Sequence, residues 1–210
     1  MARWLRHRLS PTPHLPLSLH RNSPLHRDTM SAHDAPFVAW TRAIAAVGLG
    51  LTAGYTTSIS ISSMKNIYRV PTLSPRDRLH LWSLTFDSGA ALMRPLIPLL
   101  TTLLATSAYY ATKPALYVPH NWIASQRRAV LAVSAALTLF NFPWTFLTIL
   151  PIVKKLKVIE AKIVKESKDG DAISTGDTDY DIQSWTKLHH VRSLACTLAF
   201  TLSVLELVSA

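Results

Sequence analysis

The sequence predicts an all-α protein, a four-helix transmembrane bundle. Of its 210 residues, 49% are hydrophobic and 16% are charged, which is a low charge content for a soluble domain. Three stretches without a charged residue are each about long enough to cross a hydrocarbon core of ~30 Å, namely 43–64, 95–112 and 129–153. The apolar run 193–210, interrupted only by Glu206, supplies the fourth. We expect a single membrane domain, because four helices joined by short loops can bury one shared core.

The formal charge of +10 does not predict a nucleic-acid partner. The basic residues lie in the N-terminal tail and between the predicted spans, rather than in one patch interleaved with aromatic residues. Lys and Arg beside membrane spans are typical of contact with anionic lipid headgroups. The single cysteine, Cys196, lies inside the last span, which excludes a disulfide framework and predicts a small buried side chain. We therefore expect the lipid bilayer as a partner, and the sequence indicates no oligomeric state.

Residues 1–35 predict a disordered tail that is rich in Arg and Pro. The tail carries arginines before its first acid, Asp28, and has no apolar stretch of the kind found in a cleaved secretory signal. A transit peptide also contains Arg and Ser, but prolines at 11, 13 and 16 oppose the amphipathic helix it needs. The alternative is an upstream extension of a chain that functionally starts at Met30. We expect an endomembrane rather than a mitochondrial location.

The membrane domain, 36–210, is predicted to contain spans near 37–63, 84–111, 128–153 and 185–208. Span one carries Gly50 and Gly54 in a Gly-x-x-x-Gly pair, which predicts a packing face, and its Ser and Thr hydroxyls are expected to bond their own helix. The segment 154–183 is predicted as a loop that begins as a basic amphipathic helix and then becomes acidic. The basic loops favour one membrane orientation and the arginine-rich tail favours the other, so orientation stays open.

The polar residues that open the last span form the main candidate site. At about 100° per residue, Trp185, His189 and Arg192 fall within one narrow arc of the helix. Polar groups are costly at the mouth of a membrane-length helix, so this stripe predicts either a function or an anchor at the membrane interface.

Spans two and three add polar groups that are expected to face the bundle interior. A carboxylate at Asp87 is expected to find a cation there. In span three, Pro143 and Pro151 cannot donate to the helix ladder, and such gaps survive in lipid only where side chains or a cavity satisfy them. Asn141 and Thr145 are candidates for that role and for the lining of a pocket.

Three stretches of the chain resemble the DUF1772 family, small four-span membrane proteins that include the fungal anthrone oxygenases. The stretches are Trp82–Pro95 with its Gly89, Pro143-x-Thr145 with Pro151, and Trp185-x-x-Leu-His-x-Val-Arg192. The resemblance covers roughly 37–210 and implies four transmembrane helices. It also implies oxidation of a polyketide anthrone to an anthraquinone, at the doubly benzylic carbon, with molecular oxygen. Many members follow the proline of span three with Thr-Asn, where this chain has Ile152-Val153, so either the substrate differs or the activity is lost.

This resemblance implies O2 as co-substrate, and the sequence signals neither a metal-ligand set nor a Gly-rich nucleotide turn, so we expect no cofactor and no metal. His189 is expected to act as the base, Arg192 to hold the developing oxyanion, and Trp185 to stack on the ring system. Asp87 is expected to orient His189 or to pair with Arg192. The residues expected to contact the aromatic polyketide are Trp82, Asp87, Asn141 and Thr145.

The alternative to an enzyme is a membrane scaffold that holds soluble partners of a biosynthetic pathway through its basic loops. A transporter is disfavoured, because the chain shows no repeated half with matched broken helices. The enzyme and the scaffold differ in one structural expectation. The enzyme needs Trp185, His189 and Arg192 to turn inward to a ligand-sized cavity, whereas anchors would face the lipid headgroups.

Overall fold

The computed structural model describes residues 36–111, 122–166 and 177–209. Every regular element in these ranges is helical, which confirms the predicted all-α bundle. Four helices are long and apolar enough to cross a membrane by length and composition. The tail predicted over 1–35 lies outside the described residues.

The described helices form four rods, two of which contain a π-helical turn. The elements are α1 (Pro36–Ser58), the first π-turn (Ile59–Ser63), α2 (Met64–Arg69), α3 (Pro75–Tyr110), α4 (Trp122–Ser125), α5 (Arg127–Trp144), the second π-turn (Thr145–Ile149), α6 (Leu150–Glu166) and α7 (Thr178–Ser209). The first π-turn joins α1 to α2, and the second joins α5 to α6. In the bundle, α1 and α5 each pack against both α3 and α7, which closes a four-sided arrangement.

The rods extend beyond the predicted spans. Helix α3 has 36 residues and therefore measures ~54 Å, against ~30 Å of hydrocarbon. Much of the predicted loop 154–183 is helical, because α6 continues to Glu166 and α7 already begins at Thr178. Apolar stretches report only the part of a helix that lies in lipid, so they understate helices whose outer turns are amphipathic.

The start of α3 shows how such an outer helix is fixed. Ser74 Oγ accepts a hydrogen bond from the Asp77 backbone N–H at 3.2 Å, and the Asp77 carboxylate accepts one from the Ser74 N–H at 3.2 Å. Pro75 occupies the first helical position, where its missing N–H has no cost. This capping box starts the helix well before the apolar stretch that begins at 95.

Two hydrophobic clusters of different composition fill the bundle. We call the first the projecting cluster, because most of its members lie outside the predicted spans. It contains bulky residues: Ile59, Met64, Ile67, Leu79, Trp82, Ile149, Val153, Leu156, Ile163, Ile182 and Trp185. The membrane cluster contains only Ala and Leu: Ala45, Leu49, Leu100, Leu104, Ala108, Ala111, Leu131, Ala135 and Ala199. Small side chains allow close helix approach in lipid, where no hydrophobic drive holds helices together.

The glycines of α1 give the closest contacts of the membrane cluster. A Cβ on Gly48 would lie 2.5 Å from a Leu100 methyl, and one on Gly50 would lie 2.9 Å from the Phe200 ring. Gly54 has no atom within 4 Å of such a Cβ. The predicted pair Gly50 and Gly54 is therefore corrected to Gly48 and Gly50, which face two different neighbouring helices.

Candidate active site

A pocket opens among the four rods where α7 changes from its polar first half to its apolar second half. About 890 Å³ of non-protein space lies within its walls, open solvent at the mouth included. Trp185, His189 and Arg192 all line it, so the predicted stripe turns inward. Trp185 and His189 are 2% and 3% exposed and mark the deep end, whereas Phe146 is 60% exposed and marks the mouth.

His189 is held at the deep end by two contacts. Its Nδ1 shares a hydrogen bond of 2.8 Å with the hydroxyl of Ser60, a residue of the first π-turn that is 1% exposed. The Trp185 ring packs on the imidazole with ring centroids 4.9 Å apart. Because Nδ1 is engaged, Nε2 is the ring nitrogen left for a ligand in the pocket.

Arg192 and a second arginine, Arg94, give the pocket its charge. Both line the cavity, and no Asp or Glu is among the described residues that do so. In the described part of the chain, neither guanidinium makes a hydrogen bond or an ion pair, and Arg192 Nε is buried without a partner. Burying a guanidinium without an anion is costly, so this pocket is electrostatically prepared for a negative group.

An aromatic wall supports the deep end from behind. Trp82 meets Trp185 edge-on at 5.7 Å, with an interplanar angle of 89°, and stacks on Phe86 at 5.7 Å. Trp82 is 0% exposed and does not line the pocket. Its predicted contact with substrate is therefore corrected to a packing role, in which it positions Trp185.

Asp87 finds a cation, as predicted, but the cation is Lys157 rather than an arginine. Its carboxylate accepts a hydrogen bond from Lys157 Nζ at 2.7 Å, its side chain is 60% exposed, and it does not line the pocket. It therefore neither orients His189, whose Nδ1 contacts Ser60, nor pairs with Arg192. The sequence did not reveal this contact, because Lys157 lies on another helix, 70 positions further along the chain.

Asn141 and Thr145 both line the pocket, as the sequence suggested they would. The Asn141 amide donates to the carbonyls of Leu137 at 3.2 Å and Thr138 at 3.0 Å, and its Oδ1 accepts from Cys196 Sγ at 3.6 Å. The amide therefore satisfies helix carbonyls within the bundle. Cys196 is buried, as predicted.

The second π-turn begins at Thr145 and lies between the two prolines of the third rod, Pro143 and Pro151. The Leu150 N–H bonds the Thr145 carbonyl, one residue further back than in an α-helix. This local change of register places Thr145 and Phe146 on the pocket. π-turns of this kind are frequent at functional sites.

Ser60 is the site residue that the sequence missed. The hydroxyls of Thr52 and Thr56 bond carbonyls of their own helix, at 2.8 and 2.9 Å, as expected for such residues. Ser60 instead reaches across to His189. No sequence signal marks the π-turn that contains it, so Ser60 looks like any other small residue of the span.

No group of three or more His, Cys, Asp or Glu side chains in the described ranges is arranged to hold a metal ion. The polar groups that line the pocket with His189 are hydroxyls, an amide, two guanidiniums and the indole N–H of Trp185. This donor set binds anions and oxygen-containing ligands.

The comparison with protein families decides which family this is. The anthrone oxygenase family model matches residues 82–202, more than half of the chain. The chain belongs to the anthrone oxygenase family. The match spans α3 from the aromatic wall onward, the second π-turn, and α7 through the Trp185 stripe. No curated protein and no solved structure matches this anthrone oxygenase family member.

The anthrone oxygenase match leaves α1 and Ser60 outside its range. It includes Ile152 and Val153, the position where the resemblance leads us to expect Thr-Asn. Neither residue lines the pocket, and Val153 is 4% exposed in the projecting cluster. The departure therefore changes packing beside the pocket rather than the pocket surface.

Proposed function

We propose that this protein is a membrane-embedded oxygenase that converts an aromatic polyketide anthrone to the anthraquinone with O2, in secondary-metabolite biosynthesis. The observation that carries the proposal is the pairing of a buried imidazole, His189, with a guanidinium that lacks a counterion, Arg192. Both lie in a largely apolar pocket of ligand size. A base next to a site for an anion is what removal of a proton from an apolar carbon acid requires.

The first step removes a proton from the methylene carbon of the anthrone. His189 Nε2 accepts that proton while the electron pair of the C–H bond moves through the ring to the carbonyl oxygen. Arg192 stabilises the resulting oxyanion, and the pocket's low dielectric strengthens this attraction. Ser60 keeps the imidazole oriented through its contact with Nδ1. For Nε2 to act as the base, Nδ1 must carry the proton, and the Ser60 hydroxyl then accepts this Nδ1–H.

The remaining steps use O2 as the oxidant and the substrate as the sole reductant. The anthrolate transfers an electron to O2, and the two radicals combine to form a C–O bond and a peroxide. The imidazolium returns its proton to the distal peroxide oxygen. The neutral imidazole then accepts the second methylene proton, the O–O bond breaks, and the proton joins the departing hydroxide. Anthrone and O2 thereby give anthraquinone and water, with all atoms and electrons accounted for.

The position of the pocket suits a flat apolar substrate that dissolves in lipid. Its walls include Met93, Ile97 and Phe142, and its mouth includes the exposed Phe146. Such a tricyclic molecule partitions into the bilayer, so a pocket among membrane helices can receive it directly. An endomembrane location is part of this proposal.

Substitution of His189 provides the test. In membranes that contain His189→Gln and are supplied with an anthrone under air, we expect turnover to fall by about 10²- to 10⁴-fold, the usual contribution of a general base. The matched control is His190→Gln, because His190 is exposed and does not line the pocket. Membranes without the protein give the rate of spontaneous oxidation.

Wild-type turnover in the His189→Gln membranes, after correction for the spontaneous rate, would remove this site from the reaction. Isotopically labelled O2 adds a second readout, because the proposed route places one labelled oxygen atom in the new ketone. The scaffold alternative predicts unchanged anthrone turnover and soluble proteins that copurify with the chain.

A further inference from the structure

We infer that Arg94 makes the pocket selective for an anthrone that carries a second anionic group, an ionised ring carboxylate. The inference rests on the proposed function and concerns the identity of its substrate. Arg192 accounts for the oxyanion that forms during the reaction, and it leaves the second guanidinium of the pocket unexplained.

Arg94 and Arg192 occupy different depths of the same cavity. Arg192 lies one helical turn from His189 on α7, with its Nε buried, whereas the Arg94 side chain is exposed on α3. Both line the pocket, so one ligand can contact the two cations at separate points. A neutral anthrone acquires a single negative charge in the reaction, which engages one of them.

No described Asp or Glu lines the pocket, so the pocket lining provides no carboxylate to pair with Arg94. Two other charged residues of α3 are paired with a residue of another helix: Arg78 meets Asp179 at 2.8 Å, and Asp87 meets Lys157 at 2.7 Å. Arg94, between Met93 and Pro95 within the continuous helix α3, makes no hydrogen bond or ion pair with any described residue. Arg94 directly precedes the uncharged stretch 95–112, and an arginine beside a membrane-length apolar stretch without a protein partner is a candidate for binding an anion from outside the chain.

The chemistry of guanidinium and pocket defines the ligand. The planar fork of Arg94 binds a carboxylate through two parallel hydrogen bonds, which gives orientation as well as affinity. The apolar residues beside it, Met93 and Ile97, are 5% and 3% exposed and suit a flat ring. The inferred substrate is therefore a flat aromatic anthrone with its carboxylate at the mouth and its carbonyl oxygen at the deep end.

The test compares a dihydroxyanthrone with its ring carboxylate as substrates of the protein in phosphatidylcholine vesicles. We expect wild type to prefer the carboxylate in kcat/KM, and Arg94→Gln to lose that preference by about tenfold, the effect of one charged hydrogen-bonded contact near water. The readout is the ratio of the two kcat/KM values, so an effect of Arg94→Gln that is common to both substrates cancels. Arg76→Gln is the matched control, because Arg76 is an exposed arginine of α3 outside the pocket.

Binding of the two oxidised products, measured by quenching of tryptophan fluorescence, separates this inference from the proposed function. If wild type oxidises neither anthrone, the proposed function fails, and the product affinities alone decide the role of Arg94. Equal affinity of wild type for the neutral and the carboxylated ligand overturns the inference. So does an equal loss of both ligands in Arg94→Gln.

A lipid phosphate is the other anion that a guanidinium at this depth can meet. Repeating the measurement in phosphatidylglycerol vesicles distinguishes the two. A carboxylate preference that persists in anionic lipid supports the substrate contact. A preference that disappears there assigns Arg94 to lipid headgroups and overturns the inference.

Discussion

The molecule contains two sites with a pair of arginines each, and the sites differ in how deeply the guanidiniums are buried and in what neutralises them. At one end of the bundle, Glu206 of α7 is 0% exposed and its Oε1 accepts from Arg42 Nη1 at 2.7 Å and from Arg127 Nε at 3.0 Å. At the pocket, about 21 Å away along α7, Arg192 and Arg94 share a cavity without any acid among its described lining residues.

The presence or absence of an internal carboxylate distinguishes a structural site from a candidate functional site. The Glu206 cluster joins the first, third and fourth rods through a counterion that the chain itself provides, as expected of a contact that fixes helix register. The pocket has the same kind of cation at lower burial, since Arg192 is half-buried and Arg94 is exposed, and no described acid of the chain pairs with either. Cations without an internal partner are typical of sites where charge develops or an anion binds.

Neutralising Glu206, the carboxylate at the centre of the Glu206 cluster, should have the largest effect on stability. Glu206→Gln leaves Arg42 and Arg127 without that carboxylate, so we expect the free energy of unfolding to fall by about 3–5 kcal/mol. Thermal unfolding in detergent measures it, and turnover per folded molecule should stay close to wild type. Glu160→Gln is the control, since this more exposed pair to Lys157 should cost about 1 kcal/mol or less. Equal stability of Glu206→Gln and Glu160→Gln would show that the Glu206 cluster contributes no more to stability than a more exposed ion pair.

Replacing Arg192 should have the opposite effects, a large loss of turnover and a small gain in stability. For Arg192→Met we expect turnover to fall by about 10²- to 10³-fold, the cost of removing one oxyanion contact. Stability should rise by about 1 kcal/mol, because an unneutralised buried guanidinium is replaced by an apolar side chain of similar length. Thermal unfolding and anthrone oxidation on the same preparation give both quantities. A fall in stability would show that Arg192 has a structural partner after all.

The smallest effect should come from the residue that orients the base. Ser60→Ala removes the 2.8 Å contact to His189 Nδ1, and we expect kcat to fall by about tenfold with little change in KM. Thr57→Ala is the matched control, because Thr57 makes a similar hydroxyl contact, 2.8 Å to Ser193, outside the pocket. Equal kcat values for the two variants would remove Ser60 from the site.

Sequence patterns correctly predicted the features that depend only on nearby positions within one helix. The four apolar stretches gave the four rods, and the spacing of Trp185, His189 and Arg192 put them on one face that does line a pocket. The same patterns understated helix length, because the outer turns of α3 and α6 are amphipathic rather than apolar. They also misassigned Asp87 and Trp82, whose neighbours come from other helices.

The sequence by itself determined the helical class, the membrane-crossing lengths and the shared face of the α7 stripe, since helix periodicity is local. Only the tertiary structure decided the partners. Ser60 and His189 are 129 positions apart, Asp87 and Lys157 are 70 apart, and Arg42 and Glu206 are 164 apart. Such pairs depend on how the rods pack and on where a π-turn shifts the register, and neither is encoded in a pattern confined to one helix.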